Sequence, residues 1–230
     1  MAKQNIQLII LVIADTKTQY YINYINFYWI PFIKYLHNKD ISIKCYLLFG
    51  SQPTIYIPSE YMIISNTNEC LVPGILKKTV FGFQYVSNRY NFKHILRTNL
   101  SSFFILDNLI NISNELGYNN IYSGCGNKRY HCGAAIWFSK DVIDNILMNS
   151  NIIPWELPDD VALWKLCKKI ISTKQLRYDI LPHRINKFIR DINTLITIIK
   201  EQNIYHIRIK THDRYKDTEL VKHLTNYYYK

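Results

Sequence analysis

Glycine and proline are scarce in this sequence, with seven of each among 230 residues. That scarcity excludes collagen-like and low-complexity chains. Long apolar runs are also missing. The longest one near the N-terminus, residues 8–14, is too short to span a bilayer and lacks the small-residue cleavage site of a signal peptide. Apolar residues still make up 48% of the chain, enough for a large core. The sequence therefore predicts one soluble, cytoplasmic domain over residues 1–230, with no transmembrane segment.

Paired cysteines are another absence, because the five cysteines include no Cys-x-x-Cys pair. An odd, scattered set predicts mostly buried thiols in a reducing compartment. Cys125, His131 and Cys132 could ligate zinc, but no fourth ligand is obvious nearby. Buried thiols are the alternative. The glycines around Cys125 also lack the residues that would complete a P-loop or a dinucleotide fingerprint.

Acidic residues are few, with 17 Asp and Glu against 28 Lys and Arg, which gives a net charge of +11. Such an excess favours a polyanionic partner: nucleic acid, an anionic membrane surface or a phosphate-bearing substrate. No nucleic-acid-binding motif is recognisable, and the 19 tyrosines are spread evenly along the chain. We therefore expect no nucleic-acid partner, and a basic nucleic-acid-binding protein is the less favoured alternative.

Predicted strands and helices alternate along the chain. Apolar runs at 7–14 and 43–49 are typical of buried strands, and 94–98 and 134–138 are further strand candidates. Apolar spacings of three and four predict helices at 22–36, 74–90, 103–116, 140–148, 160–171 and 218–229. Further strands are expected at 120–123, 175–181 and 205–210, and short extended pieces at 55–57 and 61–64. Within the first helix, Pro31 either kinks the helix or ends it near Ile30. This alternation predicts an α/β fold with a mostly parallel central sheet flanked by helices.

Polar residues follow several of the predicted strands. They are Asp15 and Thr16, the segment from Arg97 to Ser101, and Gly133 at the start of another strand. Ligands of parallel α/β sheets bind beyond the carboxyl ends of the strands, which makes these positions candidates for a site. The alternative is that residues such as Asp15 and Asn99 only close turns.

Two acidic residues, Asp159 and Asp160, begin the predicted helix at 160–171. Asp159 can cap the helix, and Asp160 favours the positive end of the helix dipole. In a cleft, either carboxylate can instead take a proton from an attacking hydroxyl as a general base. The spacing alone favours capping.

Basic residues alternate with isoleucines near the C-terminus. A period of two places His206, Arg208 and Lys210 on one face of a strand. This face could bind phosphate, or it could simply be solvated.

Four segments in this order resemble the centre of β-1,3-glycosyltransferases of the fringe and galactosyltransferase type. They are Leu-Lys-Lys-Thr at 76–79, the segment 93–104, the segment 132–142 and Leu-Pro-Asp-Asp-Val at 157–161. The resemblance covers most of residues 7–185. It departs from the family near the start, where Asn26 occupies the place of an arginine.

The resemblance implies a GT-A-like glycosyltransferase that transfers a sugar from a nucleotide sugar, such as a UDP-sugar, to a hydroxyl of a glycan or glycoprotein, with inversion. Asp160 corresponds to the family's base, with Asp159 beside it. Gly133, Ala134 and Trp155 are expected to contact the acceptor. The residues expected to contact the donor are Ala14, Asp15, Thr16, Lys77, Lys78, Arg97, Thr98, Asn99, Leu100, Ser101, His206, Arg208 and Lys210. His183 is a further candidate for neutralising the nucleotide.

One departure concerns the metal. The family holds Mn²⁺ or Mg²⁺ with an Asp-x-Asp motif, and this chain has Asn99-Leu100-Ser101 at that place. An amide and a hydroxyl without a carboxylate make a poor site for either ion. This departure predicts that the transferase is metal-independent and binds its donor nucleotide without a divalent metal. A catalytically inactive, glycosyltransferase-like binding module is the alternative.

Overall fold

The computed structural model describes residues 3–39, 41–126, 131–170 and 192–230. The strands of these residues are β1 (Gln4–Ile13), β2 (Ile43–Phe49), β3 (Met62–Ile64), β4 (Tyr90–Asn99), β5 (Ser102–Phe104), β6 (Tyr122–Gly126), β7 (His131–Ser139) and β8 (His206–Arg208). The helices are α1 (Gln19–Tyr24), α2 (Ile30–Asn38), α3 (Gly74–Arg89), α4 (Leu106–Glu115), α5 (Lys140–Met148), α6 (Asp159–Ile170), α7 (Ile192–Glu201) and α8 (Arg214–Tyr228).

Six strands form the central sheet, in the order β3-β2-β1-β4-β7-β6. The pairs β1–β2, β2–β3 and β1–β4 are parallel, whereas β7 runs antiparallel to both β4 and β6. The strands β5 and β8 form a separate antiparallel pair. The predicted α/β class, with a mostly parallel sheet flanked by helices, is confirmed.

The apolar run in β1 is explained by its position in the middle of the sheet. Alternate residues point to opposite faces of a strand. Leu8 and Ile10 therefore join one buried cluster, and Ile9 and Leu11 join the other. The first cluster packs beneath α1, α2, α4, α7 and α8, and the second packs beneath α3, α5 and α6. Both faces are covered, so this strand has no polar face.

Pro31 does not end the first helical segment. The turn Ile25–Trp29 directly before it is π-helical and joins α1 to α2. A proline lacks an N–H and its ring clashes with the carbonyl four residues earlier in a regular α-helix. A wider turn relieves both problems. It also orients two rings: the Tyr28 hydroxyl accepts a hydrogen bond from the Phe104 N–H (2.9 Å), and the Trp29 indole donates to the Leu100 carbonyl (3.1 Å).

Other differences from the predicted elements cluster in the C-terminal half. The helix predicted at 103–116 begins only at Leu106, because Ser102–Phe104 pairs with β8. The sequence analysis missed α7, whose apolar spacing at Leu195, Ile196 and Ile199 was the available signal. The strand predicted at 175–181 lies outside the described residues, and 55–57 forms no strand. None of the helices in the described parts of the chain is long and apolar enough to cross a membrane.

His206 lies in the core, contrary to the expectation that it faces a ligand beside Arg208. Its ring is fully buried and stacks on that of Phe104, its neighbour on β5, at 4.9 Å. Within the described ranges, neither of its ring nitrogens has a hydrogen-bond partner. Burial lowers the pKa of His206 to about 3, and burial likewise lowers the pKa of His94 to about 4. Both imidazoles are therefore neutral in the folded protein.

The two histidines predict a pH-dependent stability. Between about pH 6.5 and 4 the unfolded chain binds protons that the folded chain does not. The free energy of unfolding therefore decreases as the pH is lowered through this range. Each histidine contributes a slope of up to about 1.4 kcal/mol per pH unit. His206→Phe keeps a ring against Phe104. In urea unfolding of this variant, the free energy of unfolding should decrease less steeply as the pH is lowered than it does in the wild type. The exposed His223 offers a control, because His223→Gln should keep the wild-type slope. An unchanged slope in His206→Phe would contradict the prediction.

Candidate active site

A cleft of about 320 Å³ opens at the carboxyl ends of β1 and β4. These strands are parallel neighbours with Ile13 opposite Asn99, so the residues that follow each strand meet at one edge of the sheet. Ten residues that the sequence analysis singled out line the cleft: Asp15, Arg97, Asn99, Leu100, Ser101, Gly133, Asp159, Asp160, Arg208 and Lys210. The sheet thus brings together residues from five separate parts of the chain.

A second pocket, of about 270 Å³, shares Asp15 with this cleft. Thr16, Lys17 and Glu69 also line it. The Asp15 carboxylate accepts a hydrogen bond from the Lys17 N–H (2.9 Å), which fixes the turn after β1. The two pockets therefore meet at this turn.

Arg97 and Asp159 form a buried ion pair at the floor of the cleft. Their side chains are only 3% and 9% exposed. The other terminal nitrogen of Arg97 donates to the Gly133 carbonyl. A Cβ on residue 133 would collide with the guanidinium, so a glycine is required at this close approach. Burial raises the pKa of Asp159, and the Arg97 charge opposes that rise.

Asp160 is placed differently from its neighbour. It lies at the cleft surface, half-buried, in the first turn of α6. In the parts of the chain that the structure describes, its one side-chain hydrogen bond comes from the Val161 N–H (2.9 Å), and it has no salt bridge. Asp159 is not the residue before the helix that would cap it, because α6 begins at Asp159 itself, which is paired with Arg97. Asp160 lies in the first turn, where the helix dipole favours its negative charge.

The turn after β4 is closed by its own polar groups. The Asn99 side-chain oxygen accepts hydrogen bonds from the hydroxyls of Ser101 (2.8 Å) and Ser102 (3.4 Å). The Asn99 amide donates to the Gly133 carbonyl (3.2 Å). This donor set does not suit a divalent metal, because the amide oxygen is already engaged and the turn holds no carboxylate.

Pairing between β5 and β8 brings the basic C-terminal segment to this turn. Ser102 lies opposite Arg208, and the Ile209 N–H donates to the Ser101 carbonyl (2.7 Å). Arg208 and Lys210 reach the cleft, and neither has a salt bridge or side-chain hydrogen bond within the described residues. Burial lowers the pKa of Arg208, and the charge of Asp160 partly offsets this effect. Among the described residues, one carboxylate and two cations without a salt bridge thus line the same cleft.

Several predicted residues do not reach the cleft. Lys77 is exposed on α3, and half-buried Trp155 packs against the core. Lys78 is buried in an ion pair with Glu69 (2.6 Å) and donates to the Ala14 carbonyl (2.9 Å), so it anchors β1 to α3.

Ala14, Thr98 and Ala134 are buried and do not line the cleft. The Thr98 hydroxyl donates to the Ala134 carbonyl. His183 lies outside the described residues.

Three polar side chains of the cleft, Tyr20, Tyr21 and Arg214, were not predicted as site residues. The tyrosine rings contact each other at 4.2 Å, and the Arg214 guanidinium lies 5.1 Å from the Tyr20 ring. Arg214 is also paired with the buried Asp217 (3.1 Å). The adjacent tyrosines at the start of the first helix were the available signal. Arg214 belongs to the same basic C-terminal segment as Arg208 and Lys210, but its approach to the cleft depends on how α8 packs.

The zinc interpretation of Cys125, His131 and Cys132 does not hold. Cys132 is disulfide-bonded, so it cannot ligate a metal as a thiolate. It also departs from the expectation of free thiols, which Cys45 and Cys167 meet as buried free cysteines. Among the described residues, no three acidic, histidine or cysteine side chains are grouped so as to hold a metal ion.

Comparisons with known proteins bear on the fold. No protein-family model matches the chain, and no curated protein matches its sequence. Among solved structures, the chain is similar to the "crystal structure of a glycosyltransferase involved in the glycosylation of the major capsid of PBCV-1". The TM-score is 0.53 and the sequence identity 9%, over 95% of this chain and 99% of that chain. The chain therefore has a glycosyltransferase-like α/β fold.

Proposed function

We propose that this protein is an inverting glycosyltransferase that uses a nucleotide sugar. The observation that carries the proposal is the cleft itself, where the Asp160 carboxylate lies with the cations Arg208 and Lys210, and none of the three has a salt bridge to a described residue. The reaction needs both kinds of group, a base for the acceptor and positive charge for the leaving diphosphate. The similarity in fold to a glycosyltransferase supports the same conclusion.

In the proposed reaction, the acceptor hydroxyl attacks the anomeric carbon of the donor. A bond forms between the acceptor oxygen and that carbon as the bond from the carbon to the phosphate oxygen breaks. The electron pair of the broken bond leaves with the nucleoside diphosphate. Asp160 takes the hydroxyl proton, and Arg208 and Lys210 stabilise the charge that develops on the diphosphate.

The two pockets suggest where the two parts of the donor bind. The nucleoside is assigned to the pocket around Asp15 and Thr16, and the sugar diphosphate to the larger cleft. The four segments that resemble the fringe and galactosyltransferase type support a UDP-sugar donor and a glycan or glycoprotein acceptor. One rival function is a module that binds the nucleotide sugar without transferring the sugar. It is favoured by the turn at Asn99, which has no carboxylate for a catalytic metal.

A screen of nucleotide sugars tests the proposal. The purified protein should be stabilised against heat by at least one nucleotide sugar, because a ligand that binds only the folded state raises the melting temperature. With that donor and candidate glycan acceptors, release of the nucleoside diphosphate should accompany transfer. Stabilisation without transfer to any acceptor would support the binding module, and no stabilisation by any donor would contradict both.

Donor binding is expected to be independent of divalent metal. The physical reason is the Asn99 turn, whose amide oxygen is engaged by two hydroxyls. Calorimetric titration with the nucleotide selected by the screen should give similar affinities in Mn²⁺ and in EDTA. A loss of more than about tenfold in EDTA, roughly 1.4 kcal/mol, would mean that other groups bind a metal with the donor.

Arg208→Ala is expected to weaken binding of the nucleoside diphosphate by about 1.5 to 3 kcal/mol, the range for a hydrogen bond to a charged group. Binding of the free nucleoside should barely change, since it lacks the phosphates. Lys77→Ala is the matched control, because Lys77 is exposed and lies outside the cleft. Equal losses for nucleotide and nucleoside would indicate a structural role for Arg208.

A further inference from the structure

The two consecutive carboxylates at the start of α6 differ in burial and in pairing. Asp159 is 7% exposed and pairs with the Arg97 guanidinium. Asp160 lines the cleft, and its only side-chain hydrogen bond among the described residues comes from Val161 of its own helix. The difference between the two acids is therefore set by which of them Arg97 binds.

Arg97 is itself held in place from two sides. One terminal nitrogen meets Asp159 and the other donates to the Gly133 carbonyl, in the space that a side chain at residue 133 would fill. Arg97 lines the same cleft as Asp160. Without Asp159, its positive charge would face the neighbouring carboxylate.

We propose that Asp159 occupies the Arg97 guanidinium and thereby keeps the Asp160 carboxylate unpaired, so that it can accept a proton. The role of Asp160 as a proton acceptor rests on the proposed function. In this arrangement Arg97 and Asp159 are positioning residues, and neither contacts the reacting atoms. Arg97 was expected from the sequence to contact the donor. In this proposal it instead positions the base, Asp160.

The physical reason is the effect of a nearby cation on a carboxylate. An opposite charge within about 4–6 Å stabilises the ionised form of a carboxyl group and lowers its pKa by about 1 to 3. A general base weakened to that extent accepts a proton poorly from a hydroxyl. Within the ion pair the Asp159 charge opposes the Arg97 charge, so the pair lowers the proton affinity of Asp160 less than Arg97 alone would.

Other charged and titratable groups of the described residues surround Asp160. Arg208 and Lys210 approach from β8 and the segment after it, Arg214 from α8, Asp15 from the turn after β1, and Tyr20 and Tyr21 from α1. Tyr122 on β6 interacts electrostatically with both acids. The variants below leave these groups unchanged, so a difference between variants reports on the Arg97–Asp159 pair.

The test is a pH titration of the Asp160 carboxyl carbon by ¹³C NMR, on the full chain without substrate. In Asp159→Asn the freed Arg97 should move the Asp160 titration midpoint down by about one pH unit or more. In the double variant Arg97→Met/Asp159→Leu, which removes both charges, the midpoint should stay within about half a unit of wild type. Asp144→Asn is the control, because Asp144 is also ion-paired, with Lys140, but on the surface of α5. This variant should leave the Asp160 titration midpoint unchanged.

Each outcome decides for or against the proposal. An unchanged midpoint in Asp159→Asn overturns it. If Asp159→Asn does not fold, the double variant decides, and a midpoint shifted by more than about one unit there overturns the proposal. The titration needs no transfer activity, so it can succeed even if the glycosyltransferase assignment fails. Where a transfer assay exists, the acidic limb of the pH–rate profile should shift in Asp159→Asn and not in the double variant.

Discussion

Asp160→Asn is expected to lower the turnover of sugar transfer by a factor of about 10² to 10⁴, the range for loss of a general base. The amide keeps the shape of the side chain but cannot take the acceptor proton. Donor affinity should barely change, because the base acts on the acceptor hydroxyl. Turnover and donor affinity are measured on the same preparation, by release of the nucleoside diphosphate and by calorimetry.

Asp144→Asn is the matched control for this variant, since it makes the same chemical change at an aspartate that does not line the cleft. It should retain full turnover. Full activity in Asp160→Asn would remove this residue from the mechanism. It would also leave the inverting assignment without its proposed base.

Arg97→Met is expected to lower the free energy of unfolding by about 3 to 5 kcal/mol. The Asp159 carboxylate would remain in a site that is 9% exposed without its partner, and breaking one side of a buried ion pair is this costly. Domains are stable by only about 5 to 15 kcal/mol in total, so the variant should be close to unfolding. Urea unfolding monitored by circular dichroism measures the change.

The double variant Arg97→Met/Asp159→Leu separates pairing from packing. Replacing both members of a buried ion pair by apolar side chains is often neutral. The double variant should therefore be more stable than Arg97→Met alone. A double variant that loses as much stability as the sum of the two single variants would show that the ion pair itself contributes little.

Local patterns were enough to predict the architecture. The residues of β2 and α5 were predicted to the residue, because a continuous apolar run followed by Gly50, and Ser139 before an apolar stripe of helical spacing, are signals that lie within the element. Asp15 and Asn99 were candidates for a site because each follows a predicted strand, and both line the cleft. Parallel strands end at one edge of the sheet, so residues that follow them lie together.

Predictions that depended on the C-terminal half were less successful. The period of two correctly placed Arg208 and Lys210 on the face opposite Ile207 and Ile209. It could not show that Phe104 on β5 would stack on His206 and take that residue out of the site. The partner of β8 is about a hundred residues away in the chain, and no local pattern records which strand it joins.

By itself, the sequence determined the strand–helix alternation, the buried sheet and the set of polar residues at its carboxyl edge. Each of these follows from the periodicity of neighbouring residues. Only the tertiary structure decided which charges are paired. Lys78 and Arg97 look like ligands for phosphate in the sequence, yet Glu69 and Asp159 neutralise them in the fold. The physical reason is that burial makes an unpaired charge costly, so partners are chosen by distance in space rather than by position in the chain.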